Sequence, residues 1–161
     1  MKVRQKNSLI HIWNMTSTLT NLLYHVVFST KGRLSLINDE MSPRLYAYMG
    51  GIVRENGGVA IEIGGVADHV HMLMKIKAAV PLANMVRLIK AGSSKWASNH
   101  FSNTFPFAWQ VGYGAFTVSE SSLNRVRFYI KNQKSHHEKQ SFADEYRAFL
   151  NRHCIRPLLK P

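Results

Sequence analysis

Apolar and polar positions along the chain fall into short segments of two periods. Residues 21–30, NLLYHVVFST, form an apolar run rich in β-branched and aromatic side chains, which predicts a strand. KGR at 31–33 reads as a turn. In 41–58 the apolar residues Leu45, Tyr48, Met49 and Ile52 recur at helical spacing. Ser42 with Pro43 behind it reads as the start of that helix, and Gly57 and Gly58 as its stop. VAIEIGGVA (59–67) and HVHMLMKIK (69–77) predict two strands joined tightly around Gly64, Gly65 and Asp68. Pro81 opens a second helix over 82–100, with Leu82, Met85, Val86 and Ile89 facing inward. FAWQVGYGAFTV (107–118) predicts a last strand or hairpin with glycine breaks. Residues 119–137 predict one helix capped by Ser119, and 141–153 a final helix capped by Ser141.

This order is strand, helix, strand, strand, helix, strand, then helices. It predicts an α+β fold of split βαβ type: a four-stranded, mostly antiparallel sheet with two helices on one face and the other face open. Residues 1–14 are polar and basic without a period, so they read as an N-terminal extension. Met15 is then the expected initiator, 15–155 a single domain and 156–161 a tail.

Composition narrows the class. The chain has 161 residues and is 45% hydrophobic, enough for a packed core in one domain. Lys and Arg number 21 against 9 Asp and Glu, a net charge of +12. Such an excess points to a polyanionic partner, nucleic acid first, because each neutralised phosphate releases counterions. The basic residues are spread out rather than gathered in one amphipathic helix, which argues against a membrane surface. A single cysteine, Cys154, rules out an internal disulfide and suits a reducing cytoplasm.

The candidate chemistry starts at His69 and His71. On a strand, residues two apart share a face, so these imidazoles project together while Val70, Met72 and Met74 point into the core. Two adjacent imidazoles can ligate one metal ion, although strand histidines are more often hydrogen-bonded surface residues. Asp68 is either a turn residue or the acceptor that orients one ring. On the helix over 119–137, Tyr129 and Gln133 are four apart and share a face, beside the apolar stripe of Leu123, Val126 and Ile130. A phenol is a nucleophile once activated, and ionising it at pH 7 costs about 4 kcal/mol. Arg87, Lys90 and Lys95 recur at helical spacing and suit a DNA backbone, with a solvated face as the alternative. Lys31, Arg33, Arg125 and Lys131 are further candidate phosphate contacts. Trp109, Tyr113 and Phe116 suit base stacking or, for Trp109 and Phe116, core packing. His25 reads as structural, and His136 and His137 as helix C-terminal cations.

Five segments in order, YHVVFSTKGR, DHVHML, KAGSSKW, WQVGYGAFTVS and YIKNQKSHH, resemble the HUH-type single-tyrosine transposases. These belong to small bacterial insertion sequences that move as single-stranded DNA. The resemblance covers nearly the whole chain from residue 15. It implies that His69, His71 and Gln133 ligate Mg²⁺ or Mn²⁺ and that Tyr129 attacks a DNA phosphate to form a 5′-phosphotyrosine link. It also implies a homodimer that recognises hairpins at element ends and uses no nucleotide cofactor. Two other readings fit the same residues: a non-catalytic binder of structured nucleic acid, and a domesticated relative that cleaves chromosomal hairpins.

Overall fold

The computed structural model describes residues 18–101, 106–137 and 141–156. The expected extension at 1–14, the start at Met15 and all of the expected tail except Arg156 lie outside these residues. Strands β1 (Leu22–Ser29), β2 (Gly58–Val66), β3 (His69–Ile76) and β4 (Gly114–Val118) form one antiparallel sheet in the order β2-β3-β1-β4. Helices α1 (Met41–Glu55) and α2 (Leu82–His100) connect β1 to β2 and β3 to β4. The split βαβ arrangement expected from the hydrophobic pattern is therefore present.

Side-chain alternation divides the sheet into two faces. Val26, Phe28, Val70, Met72 and Met74 point one way and pack against Met41, Leu45, Met49 and Val53 of α1 and Met85, Val86 and Ile89 of α2. Burying an apolar side chain of this size contributes about 1.5–3 kcal/mol, so this layer carries most of the stability. The register pairs Val27 with His71, Ser29 with His69, and His25 with both Leu73 and Phe116. Directly paired residues share a face, so the histidines meet on the opposite side. That side, expected to be open, is instead covered by α3 (Leu123–Lys131), α4 (Gln133–His137) and α5 (Phe142–Arg152), whose apolar residues Tyr129, Phe142 and Phe149 pack on Val27 and Phe116.

Several boundaries differ from the expectation. Helix α1 starts at Met41, whose N–H donates to Asn38 Oδ1 at 2.8 Å, so Asn38 rather than Ser42 holds its first turn. Tyr48 turns outward and stacks on Trp96, with Met41 and Val53 completing the buried stripe. Gly57 ends the helix at φ 82°, as its glycine suggests. Gly64 and Gly65 lie inside β2, and the turn consists of Ala67 and Asp68 alone. Gly64 sits where the end of α3 crosses the sheet: a Cβ there would fall 2.2 Å from the carbonyl oxygen of Ile130. The stretch before β4 makes only an isolated bridge, Thr30 to Trp109.

The helix expected over 119–137 is broken. A 3-10 turn over Glu120–Ser122 precedes α3, and Asn132 separates α3 from α4. Asn132 Nδ2 donates to the Phe128 carbonyl at 2.7 Å. Asn132 itself leaves helical geometry at φ −103°, ψ 24°, and the helix restarts at Gln133. The final helix follows the expectation, with Ser141 Oγ accepting from the Asp144 N–H.

Candidate active site

Three strand histidines form the floor of the site. His25, His69 and His71 are all buried. The turn that makes Asp68 part of the backbone corner also aims its carboxylate along β3, where Oδ1 accepts from His69 Nδ1 at 2.7 Å. Asp68 Oδ2 takes the Arg33 guanidinium at 2.8 Å. Burial alone would raise the Asp68 carboxyl, but the hydrogen bonds from His69 and Arg33 outweigh it and lower the pKa to about 2. Asp68 thus fills both roles considered for it, corner and orienter. His71 Nδ1 shares a hydrogen bond with His25 Nε2 at 2.9 Å. Burial, followed by repulsion from neighbouring imidazoles, holds the pKa of His25 and His71 well below the usual histidine value. Both rings are therefore neutral at pH 7, the form that binds metal.

The helical layer supplies the rest. Tyr129 packs edge-on against His71, with ring centroids 5.8 Å apart, and lies 5.0 Å from His136 by the same measure. Its hydroxyl is buried and has no hydrogen-bond partner among the described residues. Gln133 is buried just past the Asn132 break, and its Nε2 lies 3.4 Å from Glu145 Oε1. Gln133 Oε1 and His71 Nε2 are likewise buried and make no hydrogen bond among the described residues.

Two functional groups were not anticipated here. His137 is not a solvent-facing helix cation: its Nε2 lies 3.0 Å from His69 Nε2 and 3.1 Å from Glu145 Oε2. Glu145, on α5, also brings Oε2 within 3.4 Å of His71 Nε2. Donor atoms of His69, His71, His137 and Glu145 all lie within 4.8 Å of one another, a group that can hold a metal ion. Burial raises the Glu145 pKa to about 7, against an opposing pull from His69. The signal for Glu145 was its place in the apolar stripe of α5, between Phe142 and Phe149. A carboxylate on a buried helix face needs a partner.

A cavity of about 590 Å³ runs between β4, α3 and α5 to this cluster. Tyr129, His136, Glu145, Arg125 and Arg152 line it. Lys31 and Arg33 lie beyond the end of β1, on the side of His69, and Lys131 is exposed two residues before Gln133. Arg87 and Lys95 are exposed on α2, in the layer behind the sheet, and are not brought to the site. Lys90 is not a free cation: its ammonium donates to the carbonyls of Gln110 (2.5 Å) and Gly112 (2.7 Å). Trp109 and Phe116 are buried, whereas Tyr113 remains exposed.

A four-stranded antiparallel sheet with two paired strand histidines facing a helical tyrosine defines the single-tyrosine class of transposases. The family described as "Transposase IS200 like" matches residues 18–133, and the chain belongs to it. It is 24% identical to the ISDra2 transposase TnpA of Deinococcus radiodurans, over 74% of this chain and 86% of that one. It is 25% identical to the transposase for insertion sequence element IS200 of Salmonella typhimurium, over 74% and 82%. A crystal structure of a candidate transposase from Deinococcus radiodurans shares the fold, with a TM-score of 0.56 and 24% identity over 72% of this chain and 93% of that one. The structure of a REP-associated tyrosine transposase bound to a REP hairpin shares it with a TM-score of 0.58 and 11% identity, over 85% and 74%.

Proposed function

We propose that the chain is a transposase that cleaves and rejoins single-stranded DNA at insertion-sequence ends through a 5′-phosphotyrosine link on Tyr129. The observation that carries this reading is the buried, unpartnered Tyr129 hydroxyl packed beside the histidine cluster. Leaving a buried hydroxyl unpaired costs about 1–3 kcal/mol, which a purely structural tyrosine has no reason to bear. In the proposed step, Tyr129 Oη bonds to phosphorus while the bond from phosphorus to the 3′-oxygen breaks. The phenolic proton passes to solvent in the cavity, and the departing 3′-oxygen takes up a proton from solvent. Attack by a 3′-hydroxyl later restores the phosphodiester and frees Tyr129, so no nucleotide is consumed.

A divalent ion, Mg²⁺ or Mn²⁺, would supply Lewis-acid polarisation of the scissile phosphate when bound. His69, His71 and Gln133 would hold it. Their chemistry fits: His71 Nε2 and Gln133 Oε1 are buried ligand-type atoms that make no hydrogen bond among the described residues. Asp68 and His25 fix the rings that bear the ligating nitrogens.

Arg125 borders the cavity at Tyr129 and would steady the incoming strand; the exposed Lys31 and Arg33, just past β1, and Lys131, two residues before Gln133, would add phosphate contacts. Arg87 and Lys95, behind the sheet, would meet the more distant parts of a hairpin. Lys90 would act indirectly by bracing the loop before β4. The same reading has a cytoplasmic homodimer acting on hairpin-bearing ends; the hairpin bound by the REP-associated neighbour supports the choice of a hairpin as the DNA partner. The test is incubation with single-stranded element ends and Mn²⁺. A covalent protein–DNA adduct that persists on a denaturing gel is expected. Its absence for every end sequence, or its persistence in Tyr129→Phe, would overturn the reading and favour a non-catalytic binder.

A further inference from the structure

Glu145 and His137 stand in the candidate site but lie beyond residue 133, where the family match ends. Both face His69 and His71, and they arrive from different helices, α4 and α5. The separations are informative. Glu145 Oε2 lies 3.1, 3.4 and 3.6 Å from Nε2 of His137, His71 and His69, and the His69 and His137 nitrogens are 3.0 Å apart. Donors bound to one tetrahedral ion at about 2.0–2.1 Å sit about 3.3 Å from one another. These four separations bracket that value, and all four donor atoms lie within 4.8 Å of one another.

Tautomers agree. Asp68 takes the proton on Nδ1 of His69, which turns the lone pair of Nε2 inward. His71 Nε2 is buried, makes no hydrogen bond among the described residues and lies 3.4 Å from Glu145 Oε2, in the same group of donors. We infer that His137 and Glu145 complete a four-donor pocket with His69 and His71, and that this pocket selects a transition-metal ion such as Mn²⁺ over Mg²⁺. The inference rests on the proposed metal role of His69 and His71 and specifies its donors and its ion. Three imidazoles and one carboxylate suit Mn²⁺, Co²⁺ or Zn²⁺, whereas Mg²⁺ prefers oxygen donors and keeps its waters. Gln133, holding Glu145 through Nε2, would position that carboxylate as well as offer its own oxygen.

The test is calorimetric titration of the metal-free full chain with Mn²⁺ and with Mg²⁺, in the absence of DNA. Wild-type protein should bind one Mn²⁺ at least about 100-fold more tightly than Mg²⁺. His137→Ala and Glu145→Gln should each weaken Mn²⁺ at least about tenfold and move Mg²⁺ by less than about threefold. His100→Ala, which removes an exposed imidazole from α2, should change neither. Electron spin-echo spectra of bound Mn²⁺ should show one imidazole fewer in His137→Ala. If Glu145→Gln fails to fold, His137→Ala and its spectrum carry the test. Unchanged Mn²⁺ affinity in both variants, with loss in His69→Ala, overturns this inference and leaves the proposed function standing. Unchanged affinity in His69→Ala as well overturns the metal reading itself.

Discussion

His25 Nε2 and His71 Nδ1 are 2.9 Å apart, joined across neighbouring strands in a fully buried hydrogen bond. This bond decides which nitrogen of His71 faces the site. In His25→Leu the bond is lost and His71 Nδ1 is left buried without a partner. The expected cost is about 1–3 kcal/mol of stability and about 10–100-fold in metal affinity. Denaturant melts and Mn²⁺ titration measure the two effects.

Tyr129→Phe removes an unpartnered buried hydroxyl and keeps the ring that packs on His71, His25 and Phe149. Adduct formation should vanish while stability holds or rises by up to about 1 kcal/mol. A thermal melt run beside the cleavage assay separates loss of chemistry from loss of fold.

Gly64→Ala places a methyl 2.2 Å from the Ile130 carbonyl oxygen, and neither backbone can move away alone. Helix α3 must lift, and Tyr129 precedes Ile130 in it. A loss of about 1–3 kcal/mol is expected, with cleavage falling more steeply than hairpin binding.

The Glu145 carboxyl gives a pH dependence whose sign can be worked out. Its pKa rises from 4.5 to about 7 on folding, so the folded state holds the proton more tightly. Its contribution is fully present below about pH 4.5 and is lost as pH climbs through about 7. Glu145→Gln does not titrate there. In metal-free protein, its melting temperature relative to wild type should therefore rise between pH 5 and 7.5 and then level off. His25 and His71 act oppositely: their pKa values are depressed, so stability falls as pH drops below 6.5 in both proteins.

Removing Arg125, which borders the cavity, should reduce the salt slope of DNA binding by about 1 and slow cleavage. Arg87→Ala and Lys95→Ala, on the far layer, should weaken hairpin binding without changing the cleavage rate at saturating DNA. Filter binding across a salt series and single-turnover cleavage distinguish the two groups.

The four-stranded antiparallel sheet and the shared face of His69 and His71 were legible because strand composition and the two-residue period are local signals, whereas Gly64 and Gly65 misplaced the turn between β2 and β3. Spacing placed Tyr129 and Gln133 on one helical face and the resemblance supplied their expected roles, but neither showed the break at Asn132 between them. Asn132 reads in sequence as an ordinary exposed asparagine. Glu145 and His137 were missed because their meaning is set by what α5 and α4 pack against, eight or more residues from Tyr129 in sequence and on separate helices. Lys90 was assigned to DNA because its partners, two backbone carbonyls, leave no mark in the sequence.

Asp68 also ties together positions that look independent. Through Oδ1 it fixes His69, and through Oδ2 it holds Arg33, whose guanidinium lies over the Phe142 ring of α5 at 4.5 Å. Arg33 adopts φ 56°, a left-handed backbone that costs a non-glycine residue about 1 kcal/mol or more. Glycine at position 33 would relieve that strain and still release the carboxylate, so local fitness and site order pull in opposite directions. Evolution can then exchange residue 33 freely only by altering residues 68 and 142 too, and these three positions should drift as a unit among descendants of this gene.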